Sequence, residues 1–462
     1  MIRLLPFPTQ SRVADDQSMP PREAPLRICM LAACPFPANH GTPGSIREMA
    51  EAIGERGHDV HVVTYHFGEN IPIRGVQLHR IAPLLKETAI IVGPTRRRPF
   101  YDFQMVWKTL EVIRRYRPAL LHAHGYEAAL VAWVCRLLTG LPIVYSGHNT
   151  MGDELASYGF FRPRWVGVAL AKLLDVVIPR LADRCIPHSI NLREFFLQGK
   201  LADCMEPVIS FGIDLEAVPQ GDGPSVRAQY GLGDAPVVAY AGVLNEFQRL
   251  DLLLEAMALV VRRVPAAKLF VITNVENEPF VAEFRRQAER LGLTGRVVLT
   301  KPQPIAEMQK LLAAADVAVV PRPHAPGFPI KLLNYMAAAR PCVLFASSAR
   351  ELGDAHCAHL AHSDTKEALA EALLDVLLDA DLRQWLGRQG SQYLWKNHDR
   401  RLTAERVCAA YIRTLLGRNV QGWRLPFAGA PRGRIGRAPQ WVPHADGPHY
   451  VLPADEAAHV QR

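Results

Sequence analysis

Short apolar runs alternate with longer stretches of helical periodicity along this chain, and the whole alternation occurs twice. The first series opens with the run 27–33, followed by Pro35-Phe-Pro37 and the small-residue turn Gly41-Thr42-Pro43. Ser45 stands where a helix cap is expected, ahead of Ile46, Met49, Ala50 and Ile53 at helical spacing. Arg56-Gly57 closes that helix, and 60–64 reads as a strand. The rhythm returns with a strand over 119–123, a helix over 126–138 and a strand over 142–145. A second series predicts strands over 235–241, 268–272, 296–299 and 317–320, with helices over 250–264, 279–291, 304–315 and 330–339. Buried strands alternating with helices predict a parallel, doubly wound α/β sheet, and two series predict two of them.

A chain of 462 residues also exceeds what one hydrophobic core supports. The expected organisation is a disordered, proline-rich leader over 1–25, an N-terminal domain over 26–216 and a C-terminal domain over 217–400. A helix over 401–416 then crosses back, and 417–462, with six Gly, six Pro and six Arg against three acids, reads as a flexible basic tail. The net charge is +8, a moderate surplus that does not call for nucleic acid as a partner. No run approaches the ~20 apolar residues of a membrane span. Eight cysteines without a C-x-x-C pair read as reduced thiols in a cytoplasmic protein.

Ligands of such sheets bind beyond the carboxyl ends of the strands, where helix N-termini offer N–H groups to anions. Gly41 and Thr42 follow the first strand and would let a diphosphate or sugar approach the backbone, or would simply turn the chain. His148, in Ser146-Gly147-His148-Asn149, follows a strand end and is a candidate proton donor or acceptor. His122 and His124 point to one face of their strand, where a metal pair lacks an acidic partner. In the second half a strand runs into Arg322, and Lys331 opens the next helix. A lysine in a first turn opposes the helix dipole unless an anion sits beside it, so these two residues mark an anion site. The basic helix from Arg162-Pro-Arg164-Trp165 through Lys172 to Arg180 reads either as a surface for an anionic membrane or as an ordinary helix packed on its sheet. Arg96-Arg97-Arg98 reads as a solvated loop or an acceptor-phosphate contact.

The order and spacing of several segments over about 27–416 resemble glycosyltransferase family 4 of the bacterial exopolysaccharide and cell-envelope type. They are Arg56-Gly57-His58-Asp-Val60, Ile186-Pro-His-Ser189, Val208-Ile-Ser-Phe-Gly212-Ile-Asp214, Tyr240-Ala-Gly242-Val-Leu244 and, most telling, Pro329-Ile-Lys331-Leu-Leu-Asn-Tyr335-Met-Ala337. The resemblance implies a GT-B fold, with two Rossmann-like domains facing across a cleft and a C-terminal helix returning to the N-terminal domain. It implies retaining transfer of a sugar from a nucleotide-diphosphate sugar to a glycan or polyprenyl-linked acceptor. Attack on the front face is expected, with the leaving group helping to take the acceptor proton. No cofactor and no metal are expected, the nucleotide sugar being a substrate. The implied catalytic residues are His148, Lys331 and Arg322. The implied donor-binding residues are Gly41, Thr42, Gly242, Arg249, Asn274, Pro329, Ile330, Leu332, Asn334 and Tyr335. The expected location is the cytoplasm, with peripheral contact at the inner face of the plasma membrane.

The chain departs from the family pattern where basic and acidic donor ligands are usual. Val243 and Gln248 replace an arginine and a lysine, with Arg249 adjacent, and Pro326 and Asn334 replace an acidic pair. Thr273-Asn274-Val-Glu276 replaces a glycine-rich turn. These departures keep a second reading open, that of a non-catalytic homologue serving as a subunit of an envelope-assembly complex.

Overall fold

A computed structural model of the protein describes residues 24–38, 41–85, 97–152, 164–198, 201–274, 278–324, 328–352 and 356–420. Most of the expected leader and tail, with Arg96, Glu276 and Pro326, lies outside these residues. The elements of the first half are β1 (Arg27–Ala32), α1 (Gly41–Glu55), β2 (Asp59–Thr64), β3 (Val76–Arg80), α2 (Arg98–Tyr116) and β4 (Leu120–His124). Then come α3 (Tyr126–Thr139), β5 (Ile143–Gly147), α4 (Arg164–Val177), β6 (Arg184–Pro187) and α5 (Ile190–Gln198). The second half begins with α6 (Gly223–Gln229), β7 (Val237–Ala241), α7 (Leu250–Arg263), β8 (Lys268–Ile272), α8 (Glu278–Arg290) and β9 (Val297–Leu299). It continues through α9 (Ile305–Leu311), β10 (Val317–Val320), α10 (Lys331–Ala337), β11 (Cys342–Phe345) and β12 (His359–Ala361). Three helices close the fold: α11 (Lys366–Leu378), α12 (Ala380–Asn397) and α13 (Arg400–Val420).

Each half forms one six-stranded parallel sheet, in the orders β3-β2-β1-β4-β5-β6 and β9-β8-β7-β10-β11-β12. Both follow the sequence third, second, first, fourth, fifth, sixth, so each reverses direction between its first and fourth strands. There the connections leave on opposite faces and open a crevice for ligand. In the first sheet Ala32 pairs with His124 and His124 with Ser146, which brings the loops after β1, β4 and β5 to the same edge.

Helices cover both faces of each sheet. On one side of the first, α1 packs with Ala404, Val407, Cys408 and Tyr411 of α13, so the last helix returns to the N-terminal sheet. On the other side lie α2, α3 and the inner residues of α5. The chain crosses between the sheets at two adjacent points. The Ile213 N–H donates to His398 O at 3.0 Å, and the Arg400 N–H to Ile213 O at 3.1 Å. Gly212 is required there, since a Cβ on it would lie 2.5 Å from the Arg400 Cα.

Arg400 ties this crossing to α1. Its guanidinium, almost wholly buried, reaches Glu48 at 3.3 Å, Glu51 at 3.0 Å, Glu55 at 2.7 Å and Asp214 at 2.7 Å. Four carboxylates around one buried cation form a node whose charges depend on one another.

Two local expectations change. Helix α1 begins at Gly41, so Ser45 is not its cap; the Ser45 hydroxyl donates to Gly41 O one turn back, at 3.2 Å. Pro43 is tolerated within the first turn because its missing N–H would have had no partner there. Arg98 is neither solvated nor aimed at an acceptor: it opens α2 and pairs with Glu127 at 3.0 Å.

Candidate active site

Between the carboxyl edges of the two sheets lies a cavity of about 480 Å³. Its N-terminal wall comes from the start of α1 and the segment after β5. Gly41 and Thr42 line it, Gly41 in the left-handed region at φ +47°. The first-turn N–H groups of a helix have no carbonyl one turn back, so α1 turns its positive end to the cavity.

His148 stands directly beyond β5 and lines the same wall. Its ring stacks on Phe211 at 5.5 Å and packs against His188 at 5.0 Å. Its Nε2 lies 3.3 Å from His124 Nδ1. Burial first, and His188 and His124 after it, push the His148 pKa well below the ordinary histidine range. Burial holds the neighbouring His188 at about 4. His148 is therefore a neutral imidazole at pH 7, a hydrogen-bonding group rather than a proton reservoir. The His122 and His124 side chains do share a face, as strand alternation requires, with rings 4.1 Å apart. Their partners are protein groups: His122 meets the Tyr411 hydroxyl at 2.7 Å and the Ser146 hydroxyl at 2.8 Å. Among the described residues no cluster of three or more His, Cys, Asp or Glu is arranged to hold a metal.

The C-terminal wall is cationic. Lys331 is the first residue of α10, and its ammonium lies 4.2 Å from the centroid of the Tyr240 ring. The ammonium donates to the Tyr240 hydroxyl at 2.9 Å and to Gln248 Oε1. Gln248 thus neutralises nothing, and among the described residues the Lys331 ammonium meets no carboxylate. Burial, then the charge of Arg322, lowers the Lys331 pKa well below the ordinary lysine range. A site that disfavours its own ammonium gains from an arriving anion. Arg322 follows β10, lines the cavity and lays its guanidinium over the Phe247 ring at 4.2 Å. Gly242 has φ +151°, and a Cβ on it would come within 3.4 Å of Lys331 Nζ, so only glycine fits comfortably beside that ammonium.

Asn274, Pro329, Ile330 and Asn334 also line the cavity. Asn334 Oδ1 accepts from Gln309 Nε2 at 2.9 Å, while Asn274 Oδ1 is buried without a partner among the described residues. Three expected donor ligands lie elsewhere. Arg249 sits at the head of α7 in a left-handed conformation and pairs with Asp251 at 2.9 Å. Leu332 is part of the apolar core. Tyr335 is fully buried: its hydroxyl receives the Ala241 N–H at 2.9 Å and faces the Ala241 carbonyl at 3.2 Å. It fixes the strand end that delivers Gly242 and does not line this cavity.

The cavity includes residues that sequence reading passed over. Arg47 and Glu48, one turn into α1, line it together with Phe211 and Asp214 from the crossing. A basic residue a turn beyond a small-residue helix start was the available signal for Arg47. Asp214 ends the segment Val208–Asp214 named above, but nothing local gave it a place in the cavity, where Arg400 holds it from the far end of the chain.

Comparison with protein families gives two matches that divide the chain as the sheets do. The model of Glycosyltransferase Family 4 matches residues 41–217, and that of Glycosyl transferases group 1 matches 235–379. The chain belongs to glycosyltransferase family 4. It is a transferase of GT-B architecture. It is 26% identical over 360 residues to a D-inositol 3-phosphate glycosyltransferase of Segniliparus rotundus, covering 72% of this chain and 77% of that one. Sucrose-phosphate synthase from Thermosynechococcus elongatus shares the fold with a TM-score of 0.71 at 19% identity, over 85% of this chain and all of the other. Anabaena Alr3699/HepE, solved in complex with UDP, aligns with a TM-score of 0.65 at 19% identity, over 84% of this chain and all of that one.

Proposed function

We propose that this glycosyltransferase moves a sugar from a nucleoside-diphosphate donor to a glycan or lipid-linked acceptor of the cell envelope, with retention at the anomeric carbon. The observation that carries the reading is the pairing of Lys331 and Arg322 on one wall with the N-terminus of α1 on the other. Three positive centres about one cavity suit a diphosphate, whose charge grows as its bond to the sugar breaks. HepE, of the same fold, was solved with UDP, and this supports a uridine nucleotide as the first donor to try.

In this reading the bond from the anomeric carbon to the diphosphate oxygen breaks with its electron pair going to the diphosphate. The acceptor oxygen forms the new bond on the same face, and its proton passes to the departing diphosphate oxygen. Lys331 and Arg322 stabilise that oxygen, while neutral His148 orients the sugar. The nucleotide sugar is a substrate, with no resident cofactor or metal, and the protein works in the cytoplasm.

A second acceptor class has its own support. Relatives named D-inositol 3-phosphate glycosyltransferase favour a small phosphorylated polyol, for which the N-terminal wall offers Arg47, paired with Glu48 at 2.9 Å. Incubation with UDP-sugars and each acceptor class, with the product's anomeric configuration read by NMR, tests both. Transfer with retention onto a lipid-linked or glycan acceptor supports the first reading. Transfer to inositol phosphate alone replaces it, and inversion would sink the proposed chemistry.

A further inference from the structure

The strip over 346–352, directly after β11, holds both halves of the molecule at once. It is built of two successive turns, the Ala349 N–H donating to Ala346 O at 3.2 Å and the Leu352 N–H to Ala349 O at 2.9 Å. Ala349 and Leu352 anchor it in the C-terminal core, and the Tyr393 hydroxyl of α12 donates to Glu351 O at 3.0 Å. Hydrogen-bonded turns with packed apolar side chains make a stiff element, which transmits a shift at one end to the other.

One end fixes the loop that carries Arg322. The buried Ser348 hydroxyl donates to Arg322 O at 2.7 Å. The Ser347 hydroxyl accepts the His324 N–H at 3.1 Å and donates to Asp364 Oδ1 at 2.6 Å, while Asp364 Oδ2 meets His324 Nε2 at 2.7 Å. The loop after β10 is thus pinned at 322 and again at 324, which sets where the Arg322 guanidinium can reach. The other end grips α5 of the N-terminal half. Glu351 accepts the N–H of Ile190 at 3.0 Å and that of Asn191. Groups in the first turn of a helix lack a carbonyl partner, so a carboxylate there gains from hydrogen bonds and dipole together. Arg350 forms a two-pronged pair with Glu194, at 2.7 and 2.9 Å, and reaches Asn191 Oδ1 at 2.8 Å. Both members of that pair are about half exposed, so it fixes geometry more than it stabilises. Helix α5 begins two residues after His188, whose ring packs against His148 at 5.0 Å. The strip therefore links the Arg322 backbone on one wall to the support of His148 on the other.

We propose that Arg350 and Glu351 are positioning residues, acting through Ser348 to set Arg322 against a sugar at His148, a role that rests on the assignment of Arg322 proposed above. Neither side chain lines the cavity, so each can be changed without touching a bound donor. The test measures kcat, donor KM, UDP affinity and melting of the full chain, with the UDP-sugar and acceptor that support transfer in the assay above. Arg350→Glu sets like charges face to face and should lower kcat about tenfold, and adding Glu194→Arg should restore it. Glu351→Ala should also lower kcat about tenfold, whereas Glu351→Gln, which keeps an oxygen for the Ile190 N–H, should lose little. UDP affinity should stay within about threefold of wild type in each, since Lys331 keeps its partners Tyr240 and Gln248. On an Arg322→Ala background Glu351→Ala should cost nothing further, which a merely structural role would not produce. Three results overturn the inference while Arg322→Ala itself is impaired. They are wild-type kcat in both Arg350→Glu and Glu351→Ala, a loss in Arg350→Glu that Glu194→Arg fails to restore, or an undiminished loss from Glu351→Ala on the Arg322→Ala background. Wild-type kcat in Arg322→Ala would instead remove the assignment of Arg322, and the positioning role with it.

Discussion

The two walls of the cleft grow from sheets of identical strand order, yet they present opposite chemistry. Beyond β5 the N-terminal wall offers the His148 imidazole, which burial keeps neutral, beside the α1 N-terminus and the paired Arg47 and Glu48. Beyond β7 and β10 the C-terminal wall offers an ammonium and a guanidinium, with Gln248 and the Tyr240 hydroxyl as uncharged partners of the ammonium. Topology fixes where a ligand can sit, at the switch points of both sheets. Burial and neighbours decide which half handles charge. The difference suits a ligand with an anionic end and a neutral end, as a nucleotide sugar has.

Breaking the cationic wall should produce the largest effect. Lys331→Ala is expected to lower transfer by about 10²–10³-fold, the usual cost of removing a preorganised charge-stabilising group. Melting should stay within a few degrees, since the lost ammonium was disfavoured by its own burial. Steady-state kinetics and calorimetry check both halves of that statement.

Breaking the node behind the walls should cost stability instead. Arg400→Met takes the buried cation from Glu51 and Asp214 and leaves them only the exposed Arg74, a loss of about 3–5 kcal/mol. Chemical denaturation measures it, and a variant as stable as wild type would show that the node is incidental. Breaking the neutral wall is milder. His148→Phe keeps the stack on Phe211 but removes hydrogen bonding, and should reduce kcat by roughly tenfold to a hundredfold with UDP affinity preserved. An equal loss of UDP affinity would move His148 to the diphosphate. The smallest effect belongs to Tyr335→Phe, which should cost about 1–2 kcal/mol in stability and leave the donor KM unchanged.

That last prediction reflects what sequence could and could not reveal. Strand–helix alternation and the loops after strands were legible because period and turn chemistry are local properties. They located His148, Arg322 and Lys331 on the two walls of one cavity. The motif containing Lys331 did not say which of its residues face the cavity. Tyr335, one turn deeper in α10, clamps β7 instead, and Leu332 fills the core. Arg249 looked like a spare cation, but Asp251, two residues on, holds it at the head of α7. Strands β3, β6, β11 and β12 escaped notice because they are short and carry His, Pro or Cys amid their apolar residues. The Arg400 node joins residues more than 300 positions apart, and no local pattern encodes it.

In the proposed reaction Lys331 receives a diphosphate and gains a proton in doing so. Its pKa is depressed in the empty cleft, and a bound anion would raise it. Affinity should therefore be highest below the depressed value, fall as pH rises through it, and level off above the value in the complex. Calorimetric titration with UDP above pH 7, where the terminal phosphate (pKa about 6) is already ionised, isolates this effect when run in buffers of different ionisation enthalpy. The wild type should take up protons on binding and lose affinity with rising pH, and Lys331→Gln should lose both the uptake and most of the affinity. UDP binding by Lys331→Gln as tight as wild type, with the same proton uptake, would contradict it.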